Sequence, residues 1–199
     1  MDAILDGFTH AFQASFTPPI PRWNGSNWLI SRVWSEYLRQ WLLQHYQVTF
    51  EYPVERRGPL DAAIWSKIGS QNQGDGKMEI ALEWEWDNNK AAHFLSGDFQ
   101  KCLEARALCG LAVKQTRADG NRGATQADET VGGLYECCKG WVKDGRALAL
   151  IEFRRVAQSS KHVEFTTYLH DLKACSKRPL IAPLRYNMPA LPPSGGRDF

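Results

Sequence analysis

The sequence predicts an α/β protein with one mixed central β-sheet that is flanked by helices on both faces. Hydrophobic residues recur at helical spacing up to about residue 45 and then alternate with a period of two over the next three segments. After these segments, helical patterns separate further strands. The predicted order is α-β-β-β-α-β-α-β-β, and a three-stranded meander followed by helical crossovers closes most simply as a mixed sheet.

Two helices are predicted before the sheet. Residues 2–15 form a short helix that ends before the three prolines of residues 17–21, because proline cannot continue a helix. A second helix runs from a cap at Asn27 to about residue 45, since its apolar side chains recur at spacings of three and four. Glu36 lies on this helix, away from the centre of the apolar face.

Three strands follow these helices. Residues 47–54 and 60–65 alternate in polarity around a turn at residues 57–59, and a glycine-bearing polar connection covers residues 66–77. Residues 78–86 form the third strand and place five apolar side chains on one face. Its other face carries the following residues: Glu79, Ala81, Glu83 and Glu85.

The second half of the chain continues the alternation of helices and strands. A helix over residues 88–109 is interrupted at residues 96–98 and ended by Gly110. The remaining predicted elements are a strand at 111–116, a loop at 117–123, a helix at 125–142, and strands at 146–154 and 162–169. From Pro179 onward, prolines and glycines predict an extended tail, which gives one domain over residues 1–178 and a tail over 179–199.

Composition is that of a globular protein, with 43% hydrophobic and 23% charged residues in 199. No apolar run has the length of about 18 residues that a membrane helix needs, and the odd set of five cysteines lacks zinc-ligand spacing. We therefore expect a cytoplasmic protein with reduced thiols and no membrane contact. Residues 75–104 hold seven acids and three bases, whereas residues 114–185 hold eight acids and thirteen bases.

The carboxylates on the third strand predict a functional site. Glu83 and Glu85 project from the same face about 7 Å apart, because side chains alternate along a strand. If residues 60–65 pair antiparallel with this strand, Asp61 can approach both. Mg²⁺ or Mn²⁺ would relieve the repulsion among such carboxylates, since both ions prefer hard oxygen ligands. The alternative is that Glu79, Glu83 and Glu85 form the solvated face of an amphipathic strand.

The segments Gly-Pro-Leu-Asp at 58–61 and Ala-Leu-Glu-Trp-Glu at 81–85, between a preceding helix and a helical crossover, resemble the core of the PD-(D/E)xK restriction-endonuclease-like superfamily. The resemblance covers about residues 28–116. It implies Mg²⁺-dependent hydrolysis of DNA phosphodiesters, with Asp61 and Glu83 as metal ligands and Glu36 as a supplementary acid. Glu85 stands where most members have lysine, and there it can bind a metal or accept a proton from water.

The missing lysine leaves several alternatives open. The ammonium group of Lys101 or Lys114 can take the place of the motif lysine, or both lysines can be surface residues. Without it, the chain can be a nuclease-derived domain that binds nucleic acid or a protein partner without catalysis, or an unrelated α/β protein. As a nuclease, it can act as a homodimer, because cleavage of both strands commonly uses two sites. The residues expected to contact DNA are Lys114, Arg117, Arg122, Arg154 and Arg155.

Overall fold

The computed structural model describes residues 2–15, 39–65, 77–85, 91–118, 120–141, 143–157 and 162–187. Five helices lie in these ranges: α1 (Asp2–Ser15), α2 (Arg39–His45), α3 (Ala91–Ser96), α4 (Asp98–Glu104) and α5 (Gly120–Lys139). The strands are β1 (Gln47–Val54), β2 (Gly58–Trp65), β3 (Met78–Glu85), β4 (Cys109–Arg117), β5 (Ala147–Ala157), β6 (His162–Asp171) and β7 (Ser176–Asn187). None of the described helices is long and apolar enough to span a membrane.

The seven strands form one sheet in which they lie side by side in chain order. β3, β4 and β5 run parallel to one another, and the other neighbouring pairs are antiparallel. Parallel neighbours need a crossover, which α3 and α4 provide between β3 and β4, and α5 provides between β4 and β5. The predicted α/β class with a mixed sheet is therefore confirmed.

Helices pack on both faces of the sheet, as predicted. On one face, Leu5 and Phe8 of α1 join a core cluster with alternate strand residues such as Leu82. On the other face, Phe99 of α4 and Leu134 of α5 belong to a second cluster. Because side chains alternate along each strand, the sheet contributes different residues to the two clusters, and the acidic residues of β3 face α3–α5.

The crossover helices differ from the prediction at their ends. The predicted interruption at residues 96–98 is confirmed, since α3 ends at Ser96 and α4 begins at Asp98. Helix α4 nevertheless ends at Glu104, where the Ala105 N–H donates to Lys101 O at 2.9 Å, and Gly110 lies in β4. A Cβ at position 110 would come within 3.1 Å of Leu148, so close packing explains this glycine. Helix α5 begins at residue 120, five residues before the predicted start.

The prediction that the tail begins at Pro179 is wrong, because residues 176–187 form β7. Proline can be accommodated here since β7 is an edge strand of the described sheet, where an N–H facing outward has no ladder partner. The pairing with β6 also shifts register twice near Thr167. The domain therefore extends past the predicted boundary at residue 178. Three predicted segments lie outside the described residues: the tail from residue 188 to 199, most of the second helix, including Glu36, and the connection at 66–76.

Candidate active site

Asp61 of β2 and Glu83 of β3 meet where the ladder between these strands ends. Antiparallel pairing sets Ala62 opposite Leu82, so the next residues along the two strands are neighbours. The Asp61 backbone N–H donates to Glu83 Oε1 at 3.3 Å, and the Trp84 N–H donates to Asp61 Oδ2 at 2.6 Å. At this point of the ladder, side-chain carboxylates accept the hydrogen bonds that backbone carbonyls accept in a regular sheet. The predicted approach of Asp61 to Glu83 is confirmed.

Helix α4 supplies a cation to this pair. Lys101 Nζ lies 3.3 Å from Glu83 Oε2 and 3.1 Å from Asp98 Oδ1. The exposed fraction of the side chain is 16% for Lys101 and 3% for Glu83. The reading of Lys101 as a surface residue is therefore wrong, and its ammonium group lies against the second acid of the motif.

Burial and mutual repulsion dominate the electrostatics of the site. The pKa of Glu83 is raised to about 8, because burial and the negative charge of Asp61 raise it more than Lys101 lowers it. Burial also raises the pKa of Asp61, against the hydrogen bond from the Trp84 backbone. The burial of Glu83, whose side chain is 3% exposed, contradicts the alternative that it belongs to the solvated face of the strand.

Glu51 of β1 is a neighbour of the site that the sequence pattern did not reveal. The pairs Phe50–Ala62 and Tyr52–Leu60 place Glu51 across from Asp61. Its φ of 52° is uncommon for a residue other than glycine, and its negative charge contributes to the raised pKa of Asp61. Phe50 and Tyr52 pack against different core clusters, so the strand changes faces at Glu51. The regular polarity of residues 47–54 hides this change.

The third predicted ligand, Glu85, is not assembled with the other two. Among the described residues, no group of three or more His, Cys, Asp or Glu side chains is arranged to hold a metal ion. Glu85 ends β3 and pairs in register with Lys114 of β4. The prediction that Asp61, Glu83 and Glu85 form one three-carboxylate metal site is therefore wrong for the described part of the chain.

Two carboxylates nevertheless fit a hard cation. Mg²⁺ is commonly held by one or two carboxylates, with water and substrate phosphate oxygens as the other ligands. The hydrogen bond from Trp84 engages Oδ2 of Asp61, and an ionised carboxylate has lone pairs on both oxygens that can serve as ligands. The raised pKa values of Asp61 and Glu83 mark a place where positive charge would be favourable. Asp61 and Glu83 are thus a donor set that suits Mg²⁺ or Mn²⁺.

The predicted DNA-contacting residues whose side chains the structure describes do not form one surface. Lys114 is 3% exposed and its Nζ lies 4.7 Å from the Phe94 ring centre, so the prediction of a surface DNA contact is wrong for Lys114. Arg154 and Arg155 are adjacent on β5 and project from opposite faces of the sheet. The side chains of Arg117 and Arg122 lie outside the described part of the chain.

A buried polar network in the middle of β5 was not predicted from the sequence. Glu152 Oε1 accepts hydrogen bonds from Thr116 Oγ1 at 2.6 Å and from Arg154 Nε at 2.8 Å. Glu152 Oε2 lies 2.8 Å from His170 Nε2, and His170 Nδ1 lies 2.8 Å from Tyr135 Oη. A glutamate within the apolar run of residues 147–153 was the available signal.

Glu152 is ionised within this network. Burial alone would raise its pKa, but the hydrogen bonds from His170, Arg154 and Thr116 together lower it. Glu152 and His170 are both fully buried.

Comparison with models of protein families, with curated proteins and with solved structures finds no match to this chain.

Proposed function

We propose that this chain is a metal-dependent endonuclease that hydrolyses DNA phosphodiester bonds, built on a restriction-endonuclease-like core of the PD-(D/E)xK type. Asp61 and Glu83 would hold Mg²⁺ or Mn²⁺. The observation that carries the proposal is the meeting of the buried carboxylate of Glu83 with the partly buried carboxylate of Asp61 on adjoining strands, with the ammonium of Lys101 against Glu83. The order of helix, three-stranded meander, crossover and parallel strand supports the fold.

Buried negative charge destabilises this site in the absence of a cation. A carboxylate taken out of water is costly unless it is paired, and the pKa of Glu83, about 8, indicates that Lys101 does not fully compensate for this cost. A divalent cation would complete the compensation. When bound, such an ion lowers the pKa of a coordinated water and neutralises charge that develops on a phosphate.

Lys101 would have the role that the resemblance assigns to the motif lysine, which is missing at position 85. Its contacts with Asp98 and Glu83 fix the ammonium beside the carboxylate pair, where it can orient an attacking water and stabilise negative charge. Glu85 then has no need to be a lysine. Because the ammonium comes from a helix packed on the sheet, its position depends on the crossover formed by α3 and α4.

Plasmid cleavage tests the proposal. Purified full-length protein should nick or linearise supercoiled DNA with Mg²⁺ or Mn²⁺, and removal of either ligand should lower the rate by about a hundredfold or more. The variants are Asp61→Asn and Glu83→Gln. Glu79→Gln is the matched control, because it removes the same charge from the same strand outside the site. Cleavage that persists in both ligand variants would exclude these roles.

A nuclease-fold domain that binds nucleic acid or a protein partner without catalysis is the second candidate. It is favoured by the engagement of both Glu83 oxygens with protein donors, the Asp61 N–H and Lys101 Nζ. This candidate predicts salt-sensitive DNA binding without cleavage and no heat of metal binding in calorimetry. Wild-type cleavage that disappears on chelation would reject it.

A further inference from the structure

A row of charged and polar side chains crosses the C-terminal halves of the three parallel strands on the face covered by α3–α5. On β5 the side chains of this face change from Leu150 to Glu152 and Arg154, and on β4 the corresponding pair is Lys114 and Thr116. On β3 the residue in register with Lys114 is Glu85. Ligands of open α/β sheets bind outside the carboxyl ends of parallel strands, and of the two row residues on β5, Arg154 lies nearer that end.

The orientation of the Arg154 side chain is fixed by a buried hydrogen-bond network beneath it. Its Nε donates to Glu152, a fully buried carboxylate that also accepts from Thr116 and His170. The Tyr135 hydroxyl in turn holds the other ring nitrogen of His170. Maintaining a buried anion is costly, and one result of this arrangement is a guanidinium group that has little freedom to rotate.

The outer side of the Arg154 guanidinium already holds an oxyanion. Nη2 of Arg154 lies 2.9 Å from Asp128 Oδ1, and the side chain of Asp128 on α5 is 64% exposed. A phosphate oxygen has the same charge and accepts from guanidinium with similar geometry. The exposed Asp128 carboxylate therefore occupies a position that a substrate phosphate can take, whereas the buried Glu152 carboxylate keeps the guanidinium in place.

We propose that Arg154 is a phosphate-binding subsite for a DNA strand, that Glu152, His170 and Tyr135 position it, and that an incoming phosphate displaces Asp128. The choice of DNA as ligand rests on the proposed function. Strands β3 and β5 are separated by two strand spacings, about 10 Å, so Arg154 holds a phosphate other than the one at Asp61 and Glu83. Arg154 is a binding residue here, and the three residues behind it act through it.

Measurement of DNA binding in the absence of metal tests this subsite independently of catalysis. A fluorescein-labelled DNA duplex is titrated with full-length protein in chelator, and anisotropy gives the association constant at a series of salt concentrations. Loss of one phosphate contact should reduce the slope of log K against log salt by about 0.9. We expect this reduction in Arg154→Gln. Arg154→Lys should retain part of the slope and lose affinity, because lysine lacks the planar fork.

Asp128→Asn should change the affinity for DNA in the opposite direction to Arg154→Gln. Removal of the competing carboxylate should strengthen DNA binding severalfold. The matched control is Glu136→Gln, which removes one exposed acid from the same helix, where Glu136 pairs with Lys139. A general change in net charge would affect both variants equally, whereas displacement at Arg154 affects Asp128→Asn more. Thermal melting of each variant verifies that it is folded.

Three results would overturn the subsite: no binding by the wild-type chain, an unchanged salt slope in a folded Arg154→Gln, or equal affinities for Asp128→Asn and Glu136→Gln. If Arg154→Gln does not fold, Arg154→Lys and Asp128→Asn decide the question. Plasmid cleavage with unaltered slopes would reject the subsite and leave the nuclease proposal intact. Altered slopes without cleavage would support the subsite and reject the nuclease.

Discussion

Glu83 shows how one residue joins the sequence pattern to the chemistry of the site. Alternation along β3 directs its side chain towards α4, and the short distance to Asp61 follows from antiparallel pairing with β2. Both effects place a carboxylate where water is excluded, and its pKa rises to about 8 as a result. The same property should be measurable as a dependence of stability on pH.

In the presence of a chelator, the free energy of unfolding should fall as pH rises through the interval between 4.5 and about 8, the ordinary and the raised pKa of Glu83. The sign follows because the unfolded chain releases this proton at lower pH than the folded chain does. Glu83→Gln should remove roughly 2 to 4 kcal/mol of this dependence. Urea unfolding across the interval measures it, with Glu79→Gln as control. An equal pH dependence in wild type and Glu83→Gln would contradict the shift.

Lys101→Met should affect cleavage and stability together. Removal of the ammonium leaves Glu83 buried beside Asp61 without its cation, so the variant should lose about 1 to 3 kcal/mol above pH 8. Its turnover number should fall by more than its Michaelis constant changes. Lys139→Met is the control, since Lys139 is 62% exposed and pairs only with neighbouring Glu136 among the described residues. Normal turnover in Lys101→Met would remove this residue from the mechanism.

The residues of the site differ in how far the sequence could predict them. Asp61 and Glu83 were predictable because the strand period and one assumption about pairing fix their faces. Lys101 remained one of two alternatives, since its distance to Glu83 depends on how α4 packs against β3. Glu51 could not be predicted, because its left-handed conformation breaks a polarity pattern that otherwise appears regular.

At the scale of secondary-structure elements, close contact between helices sets local requirements that the hydrophobic pattern does not show. A Cβ at Gly7 of α1 would lie 2.1 Å from a ring atom of Trp41 in α2. An added methyl group therefore requires the indole to move. In α5, by contrast, a Cβ at Gly132 would meet no atom within 4 Å.

These two glycines give a matched pair of substitutions. Gly132→Ala should stabilise the protein by about 0.5 to 1 kcal/mol, because alanine has the higher helix propensity. Gly7→Ala should instead destabilise it by about 1 to 3 kcal/mol, since overpacking forces rearrangement. Chemical denaturation monitored by tryptophan fluorescence measures both effects. Stabilisation by Gly7→Ala would mean that α1 does not pack tightly against Trp41.

Element boundaries were harder to predict than element types. Strand β7 was missed because prolines at 179 and 183 weaken a strand pattern, although the edge of a sheet tolerates them. The end of α4 was missed because Gly110 appeared to be a helix terminator, whereas its packing against Leu148 explains its presence in β4. In both cases a local signal had a cause in tertiary structure.

At the scale of the whole molecule, one sheet connects the candidate site to the basic second half of the chain. The acidic pair lies at β2 and β3, and the buried Glu152 network lies on β5 and β6. The class of this sheet was predictable, because the change of period and the crossovers leave few closed arrangements. The buried network was not, since hydrogen bonds among β4, β5, β6 and α5 depend on the register of all four elements.

Calorimetric titration with Mn²⁺ tests most directly whether Asp61 and Glu83 form a cation site. At a pH above 8, wild type and Glu79→Gln should each bind the ion, and Asp61→Asn and Glu83→Gln should bind it at least about tenfold more weakly. The wild-type affinity should also decrease at lower pH as Glu83 is protonated. Absence of binding by the wild-type chain, or undiminished binding by both ligand variants, would contradict the account.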